Sequence, residues 1–198
     1  ALHCAYVPLG GGAKHLHVHL LDRLVPPPPE VVASGGHAIL AYLRRSYSAV
    51  LHQQLDLSGF KLQHFPFMAL STPTTLTSLS LNKNQLGSVP PQLATLSNLQ
   101  QLSVSDNHIT ELPGKTMAAL PLLKSLSVHG NKITVLPQEL GSLRFLEYLQ
   151  FDAEGITSPP RDVLVKSAQA VLRYLRKVWG GRCSGVLELT DCDLTDLP

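Results

Sequence analysis

Hydrophobic positions along this 198-residue chain recur with two different spacings. The shorter period is 23 or 24 residues, and its three clearest copies begin at Leu76, Leu99 and Leu123. In the first copy the fixed positions are Leu76, Leu79, Leu81, Asn84 and Leu86; in the second Leu99, Leu102, Val104, Asn107 and Ile109; in the third Leu123, Leu126, Val128, Asn131 and Ile133. All three obey L-x-x-L-x-L-x-x-N-x-L. Each continues into an apolar residue and a proline (Val89-Pro90, Leu112-Pro113, Leu136-Pro137), then into further apolar positions such as Leu93 and Leu96, or Leu140 and Leu143. A weaker copy precedes them (Leu55, Leu57, Leu62, Phe65, Pro66) and another follows (Leu146, Leu149, Phe151, Ile156, Pro160).

Alternation of Leu79 with Leu81, repeated in the other copies, puts both side chains on one face of a short strand. One such strand cannot bury that face alone, so copies must stack in parallel and share a continuous core. Four or five aliphatics per coil, at roughly 1.5–3 kcal/mol each before entropy is subtracted, make stacking the stabilising event. The recurring Asn84, Asn107 and Asn131 are expected to be structural. A side-chain amide inside a tight bend can pair backbone groups that the turn leaves unsatisfied, and repetition makes a ladder. Phe60, Glu154 and Cys192 occupy that position in the outer copies, so the ladder should weaken towards both ends.

The longer spacing is a constant offset of 132 residues. It carries Pro27-Pro28-Pro29-Glu30-Val31-Val32 onto Pro159-Pro160-Arg161-Asp162-Val163-Leu164, and Ala38 to Arg44 onto Ala170 to Arg176. The same offset takes Leu55 and Leu57 onto Leu187 and Leu189, and Leu62 and Pro66 onto Leu194 and Pro198. Within the second copy Leu164, Ala168, Val171, Leu175 and Trp179 recur at helical spacing while Arg173, Arg176 and Lys177 fall largely on other faces, which predicts an amphipathic helix. Prolines and an acid mark its start, and Gly180-Gly181 its expected end. The expected role is to close the hydrophobic end of a stack.

The short repeat resembles the leucine-rich-repeat family, in particular its cytosolic 23-residue type, whose pattern continues L-P-x-x-[IL]-x-x-L; the resemblance spans residues 51–160. It implies an α/β leucine-rich-repeat solenoid. A curved parallel sheet would line the concave face, turns, 3-10 or short helical segments the convex face, and amphipathic helices would separate arrays. On this reading residues 1–26 are the degenerate end of a first array and 27–50 an inter-array helix and linker. Residues 51–160 are an array of about five repeats, 161–182 a capping helix and 183–198 the start of a third array. The phrase P-P-x-[DE]-V followed by A-[IV]-L-x-Y-L-R is similar to the segment that ends the repeats in Roco proteins, where a GTPase domain follows. Here a further leucine pattern follows, so the GTPase is not carried over, and the arrangement suits a fragment of a larger multi-array protein.

Composition narrows the function classes. Hydrophobic residues make up 44% and charged residues 15%, with 14 Gly and 15 Pro, too apolar for disorder and too punctuated for a helix bundle. A net charge of +2 with scattered basic residues gives no footprint for nucleic acid. Three widely separated cysteines (Cys4, Cys183, Cys192) and the absence of an Asn-x-Ser/Thr sequon favour a reducing, cytoplasmic setting. No apolar run approaches the roughly 20 residues that span a bilayer.

Signals for chemistry are weak. Pro113-Gly114-Lys115-Thr116 contains the G-K-T of a phosphate-binding loop, but the required earlier glycine is replaced by Ile109, a core position of the repeat. His15, His17 and His19 would share one face of a strand, yet no fourth metal ligand is evident. Asp22, Asp56, Asp106 and Asp152 have no partner at fixed spacing for acid/base work. The expectation is therefore a binding protein without catalytic residues, cofactor or metal.

The variable positions between the leucines define three columns on the sheet: Gln54, Ser78, Gln101, Ser125, Tyr148; Asp56, Ser80, Ser103, Ser127, Gln150; and Ser58, Asn82, Ser105, His129, Asp152. Lys83 and Asp106 flank them. The expected contact set is these columns without Asp56, Ser58 and Ser125, together with Lys83 and Asp106. The expected function is an intracellular signalling scaffold that recognises a protein partner on the concave face, with no nucleic acid, small-molecule substrate or membrane insertion. The alternative is the recognition arm of a larger Roco-type GTPase or kinase.

Overall fold

The computed structural model describes residues 26–66, 75–190, 192 and 194. Among these residues five strands form one parallel sheet in chain order: β1 (Gln54–Asp56), β2 (Ser78–Ser80), β3 (Gln101–Ser103), β4 (Ser125–Ser127) and β5 (Tyr148–Gln150). Each has three residues, just enough to point one side chain inward and two outward. The inward residues are Leu55, Leu79, Leu102, Leu126 and Leu149, which stand opposite one another along the sheet and are all buried. The aliphatic skeleton of the repeat is thus the spine of the molecule.

Past each strand a second inward residue, Leu81, Val104 or Val128, enters the core, the chain bends at asparagine, and Leu86, Ile109 or Ile133 enters after it. The return path runs through short helical pieces: a 3-10 turn at Pro91–Thr95, helix α3 at Gly114–Ala118, and a 3-10 turn at Gln138–Ser142. Each is preceded by a proline (Pro90, Pro113, Pro137), whose fixed φ suits an extended lead-in. Leu93, Met117 and Leu140 pack from these pieces into the core. Sheet on one side and short helical turns on the other is the α/β solenoid that the repeat predicts.

The asparagines do what the repeat required of them. Asn107, 4% exposed, donates from Nδ2 to the carbonyls of Leu81, Val104 and Ser105, each at 3.0 Å, and its Oδ1 accepts from the Leu86 amide at 3.0 Å. Asn84 bonds in the same way to Leu57, Leu81 and Asn82 carbonyls and to the Leu62 amide. Asn131 bonds to Val104, Val128 and His129 carbonyls and to the Ile109 amide. Every asparagine therefore ties its own bend to the coil before it. The first coil needs none of its own: Phe60 stands at that position, buried among apolar neighbours, while Glu154 at the other end is exposed.

Two helix pairs close the stack. At its start, α1 (Pro29–Ala33) and α2 (Gly36–His52) pack on β1, with Tyr42 meeting Phe60 edge-to-face at 5.8 Å. At its end, α4 (Arg161–Leu164) and α5 (Ala168–Ser184) pack on the last coil, and α5 buries Val171, Leu172, Tyr174 and Leu175. A methyl group on Gly141 would lie 2.1 Å from the Leu175 carbonyl oxygen, so only glycine allows this approach. The offset of 132 is visible in the fold: α2 and α5 each have 17 residues, and each ends at a left-handed residue, Gln53 or Gly185.

Two boundaries differ from expectation. The second helix is split, because Ser167 leaves the helical region and caps a new start by accepting a hydrogen bond from the Ala170 amide at 3.1 Å. That helix also runs through Gly180-Gly181, whose weak helix propensity of about 1 kcal/mol per residue does not by itself break a packed helix, and stops at Gly185, where φ is 77°. The triad His15, His17 and His19, with most of the expected first array, falls outside the described residues. Among the described residues no helix is long and apolar enough to cross a membrane.

Replacing Asn107 with alanine would leave the Leu86 amide and the Leu81 and Val104 carbonyls buried without their partner. The expected cost is about 1–3 kcal/mol, read as a lower denaturation midpoint, and an unchanged midpoint would refute the ladder. A second expectation concerns Tyr42, which is fully buried. Burial pushes its phenol pKa up from 10.0, with the Ser46 hydroxyl pulling weakly the other way. The fold therefore favours the neutral phenol. Its contribution is complete below the unfolded value of about 10 and is lost as pH rises beyond it. Denaturation midpoints should fall above that pH, and Tyr42→Phe should make the fall shallower.

Candidate functional site

The strand register sets the three columns side by side. Gln54, Ser78, Gln101, Ser125 and Tyr148 are consecutive partners across the sheet, as are Asp56, Ser80, Ser103, Ser127 and Gln150. The third column follows immediately after the strands, where Lys83, Asp106 and His129 lie beside the bend. The contact set read from the sequence therefore occupies one continuous face.

Hydrogen bonds run across that face. Asp56 Oδ1 accepts from the Ser58 amide at 3.0 Å, and the Ser58 and Ser80 hydroxyls share a bond of 2.8 Å. Asn82 donates from Nδ2 to Ser80 Oγ, while its Oδ1 accepts from the Ser103 hydroxyl and the Ser105 amide, each at 2.7 Å. Ser105 and Ser127 share a bond of 2.8 Å, and Ser127 donates to Gln150 Oε1 at 2.9 Å. His129 Nδ1 stands 3.3 Å from Ser127 Oγ, and the Tyr148 hydroxyl reaches Gln150 at 3.4 Å. Ser78 donates to Gln101 at 3.3 Å, and Asp152 accepts from the Gly130 amide at 2.5 Å. Most of these side chains are fixed by their neighbours.

Two members of the expected set do not present themselves to solvent. Ser105 is 1% exposed and Ser127 8%, because each hydroxyl is consumed between coils. Small size lets them sink below Asn82, His129 and Gln150, and their role is to brace the face. Gln54, Gln101, Tyr148, Gln150, Asp152, Lys83 and Asp106 are exposed, and Ser78, Ser80, Asn82, Ser103 and His129 are half-buried. Lys83 and Asp106 both hold the left-handed backbone with φ of 55°, at the position that Gly130 fills in the next coil.

The columns omitted what flanks them at the first strand. Arg45, from α2, donates from Nη1 to Asp56 Oδ2, Asp56 O and Ser58 O, each at 3.3 Å, and its guanidinium lies 5.2 Å from the Phe60 ring centroid. Both charges of the Arg45–Asp56 pair are substantially exposed, so its value is at most about 1 kcal/mol. Its structural effect is to roof one end of the face. Beneath it lies a cleft of about 290 Å³ lined chiefly by Arg45, Ser48, His52, Gln54, Asp56 and Ser80. The signal for Arg45 was present in the longer repeat: Lys177, 132 residues on, donates in the same way to the Thr190 carbonyl.

Nothing in this arrangement resembles acid/base machinery, since the hydroxyls bond to one another and to amides rather than to a base. Among the described residues no group of His, Cys, Asp and Glu side chains is placed to hold a metal. The G-K-T segment begins α3, where Gly114 abuts the Glu139 carboxylate, a group that would repel phosphate.

A leucine-rich-repeat family model matches residues 74–133 and 97–154, the stretch in which the asparagine ladder and three of the strands are found. These coils are leucine-rich repeats. Domains of this kind generally mediate protein–protein interaction and are not themselves enzymes. Leucine-rich repeat-containing protein 10 of Mus musculus is 45% identical over 58 residues, which take in 29% of this chain and 21% of that protein, so the match spans about a fifth of the relative. Among solved structures, pollen receptor kinase 3 aligns over 52% of this chain and 50% of its own, with 24% identity and a TM-score of 0.46. The leucine-rich-repeat ectodomain of the Arabidopsis thaliana receptor kinase GASSHO1/SCHENGEN3, solved in complex with CASPARIAN STRIP INTEGRITY FACTOR 2, aligns over 50% of this chain and 12% of its own, with 28% identity and a TM-score of 0.45.

A methyl group on Gly130 would stand 2.4 Å from Asp106 Oδ1 and 3.0 Å from the Asp106 backbone, at a φ of 66° that side chains rarely adopt. Gly130→Ala should therefore cost about 1–2 kcal/mol, measured by denaturant unfolding, and an equal midpoint would show that the bend relaxes freely.

Proposed function

We propose that the open face of the leucine-rich-repeat sheet docks an extended segment of a partner protein, with Gln101 and Tyr148 as its principal contacts. The observation that supports this reading most directly is the hydrogen-bonded chain of small polar side chains from Asp56 to Tyr148. Side chains already held in place lose little entropy when a partner arrives. Parallel strands lie about 4.8 Å apart, so five of them span roughly 19 Å, enough for about six residues of extended chain. Tyr148, 54% exposed and steadied by Gln150, offers the one large ring on this face, and Gln101 offers amide groups that can pair with backbone.

In this reading the chain is an interaction scaffold in intracellular signalling, and its partner is a protein rather than nucleic acid or a small substrate. The free thiols of Cys183 and Cys192 and the 23-residue form of the repeat support an intracellular setting. A second reading, the recognition arm of a Roco-type GTPase or kinase, is favoured only by the proline-led helix pair α4–α5, whose sequence is similar to the segment ending the repeats in Roco proteins.

Extended peptides selected from a displayed library against the full chain provide the test. Gln101→Ala combined with Tyr148→Ala should weaken the selected peptides at least tenfold, about 1.4 kcal/mol, without moving the denaturation midpoint. Gln92→Ala, on the opposite side of the coil, should leave binding unchanged. Peptides that bind the double variant with native affinity would place the docking surface elsewhere.

A further inference from the structure

We infer that the outward face of α1 and α2 seats one more leucine-rich coil, and that residues 13–26 of this chain supply it. The inference stands on the duplication and is independent of what the sheet face binds. Each helix pair has two apolar sides. The side facing the following coil is filled in both copies: Tyr42 is 0% exposed against Phe60, and its counterpart Tyr174 is 7% exposed beside Cys192, the counterpart of Phe60.

The other sides differ. In the second copy Leu164, Val171, Leu172 and Leu175 are all 5% exposed or less, because the coil running through Gln138–Ser142 lies against them. That coil comes close enough for Gly141 to touch the Leu175 carbonyl, and Arg176 Nη2 donates to the Leu146 carbonyl at 2.6 Å. In the first copy the same four positions are Val32, Ile39, Leu40 and Leu43. Val32 is 51% exposed and Leu40 42%, with Ile39 and Leu43 half-buried and Arg44, the counterpart of Arg176, exposed. Among the described residues nothing covers this side. A helix that keeps the side chains for a coil, at every position where its duplicate uses them, is built to receive one.

The chain itself names the occupant. The coil that covers α4 and α5 enters them through Ile156 and Pro159-Pro160, and α1 is entered through Leu24 and Pro27-Pro28, with the same spacing of three residues. Upstream, Leu16-His17-Val18 reproduces Leu149-Gln150-Phe151. Its offset is 133 rather than 132, so one extra residue lies in the bend. The tether from Leu24 to α1 is four residues, Val25 to Pro28, which keeps this segment beside the face it would cover.

Hydrogen exchange followed by mass spectrometry on the full chain tests the assignment. Amides of residues 14–20 should exchange at least tenfold more slowly than an unstructured peptide of the same sequence. Leu40→Asp should abolish that protection while amides of β2, β3 and β4 keep theirs, which separates loss of the seat from loss of the fold. Leu16→Asp, placed outside the described core, should speed exchange on α2 in return. Unprotected amides at 14–20 in the native chain, or protection that survives both variants, would overturn the proposal. So would a mass that rises with concentration and falls back in Leu40→Asp, since a second copy would then be the occupant.

Discussion

A buried asparagine amide that reaches from its own bend to the coil before it is the interaction on which this structure depends. Strands of three residues make few ladder hydrogen bonds, and the chain leaves the sheet at once with carbonyls and amides still needing partners. Burying such groups unpaired costs about 1–3 kcal/mol apiece, and stacking coils buries them by necessity. Asn84, Asn107 and Asn131 meet that need across three successive junctions, using a carboxamide because no other side chain of that length both donates and accepts. Leucines provide the attraction between coils; the amides fix the position at which it is realised.

From that register the rest follows. Because Leu79, Leu102 and Leu126 stand opposite one another, so do the polar residues between them, and serines from adjacent coils come within hydroxyl hydrogen-bonding distance. The face is consequently a connected polar surface with one exposed ring, and it lacks the paired acids and bases that chemistry would require. The two ends of the stack need another solution, since an open coil exposes its leucines. Helix pairs serve there, and Arg45 and Lys177 clamp the following coil to each helix through backbone carbonyls.

Much of this could be read from residue spacing. The repeat gave strand positions, inward leucines, the asparagine contacts and the register of all three columns, because each depends on periodicity and on nearest neighbours in the stack. Burial of Ser105 and Ser127 was not legible, since it depends on how far a small hydroxyl sinks between two larger neighbours. Neither was the part played by Arg45, which reaches the face from a helix outside the short period; only the longer offset, pairing it with Lys177, carried a trace of it. The helix end at Gly185 rather than Gly180 was missed for a related reason: packing against the last coil outweighs the local cost of two glycines. The left-handed backbone of Lys83 and Asp106 was likewise hidden, although Gly130 in the same place marks the position in hindsight.

Site-resolved amide exchange by NMR at Leu62, Leu86 and Ile109 tests the ladder most directly, because each of these amides donates to an asparagine Oδ1 at 3.0 Å. Exchange as slow as that of the strand amides of β3 is the expected result. Exchange at the rate of exposed loop amides, with the strands still protected, would show that the asparagines do not hold the coils together.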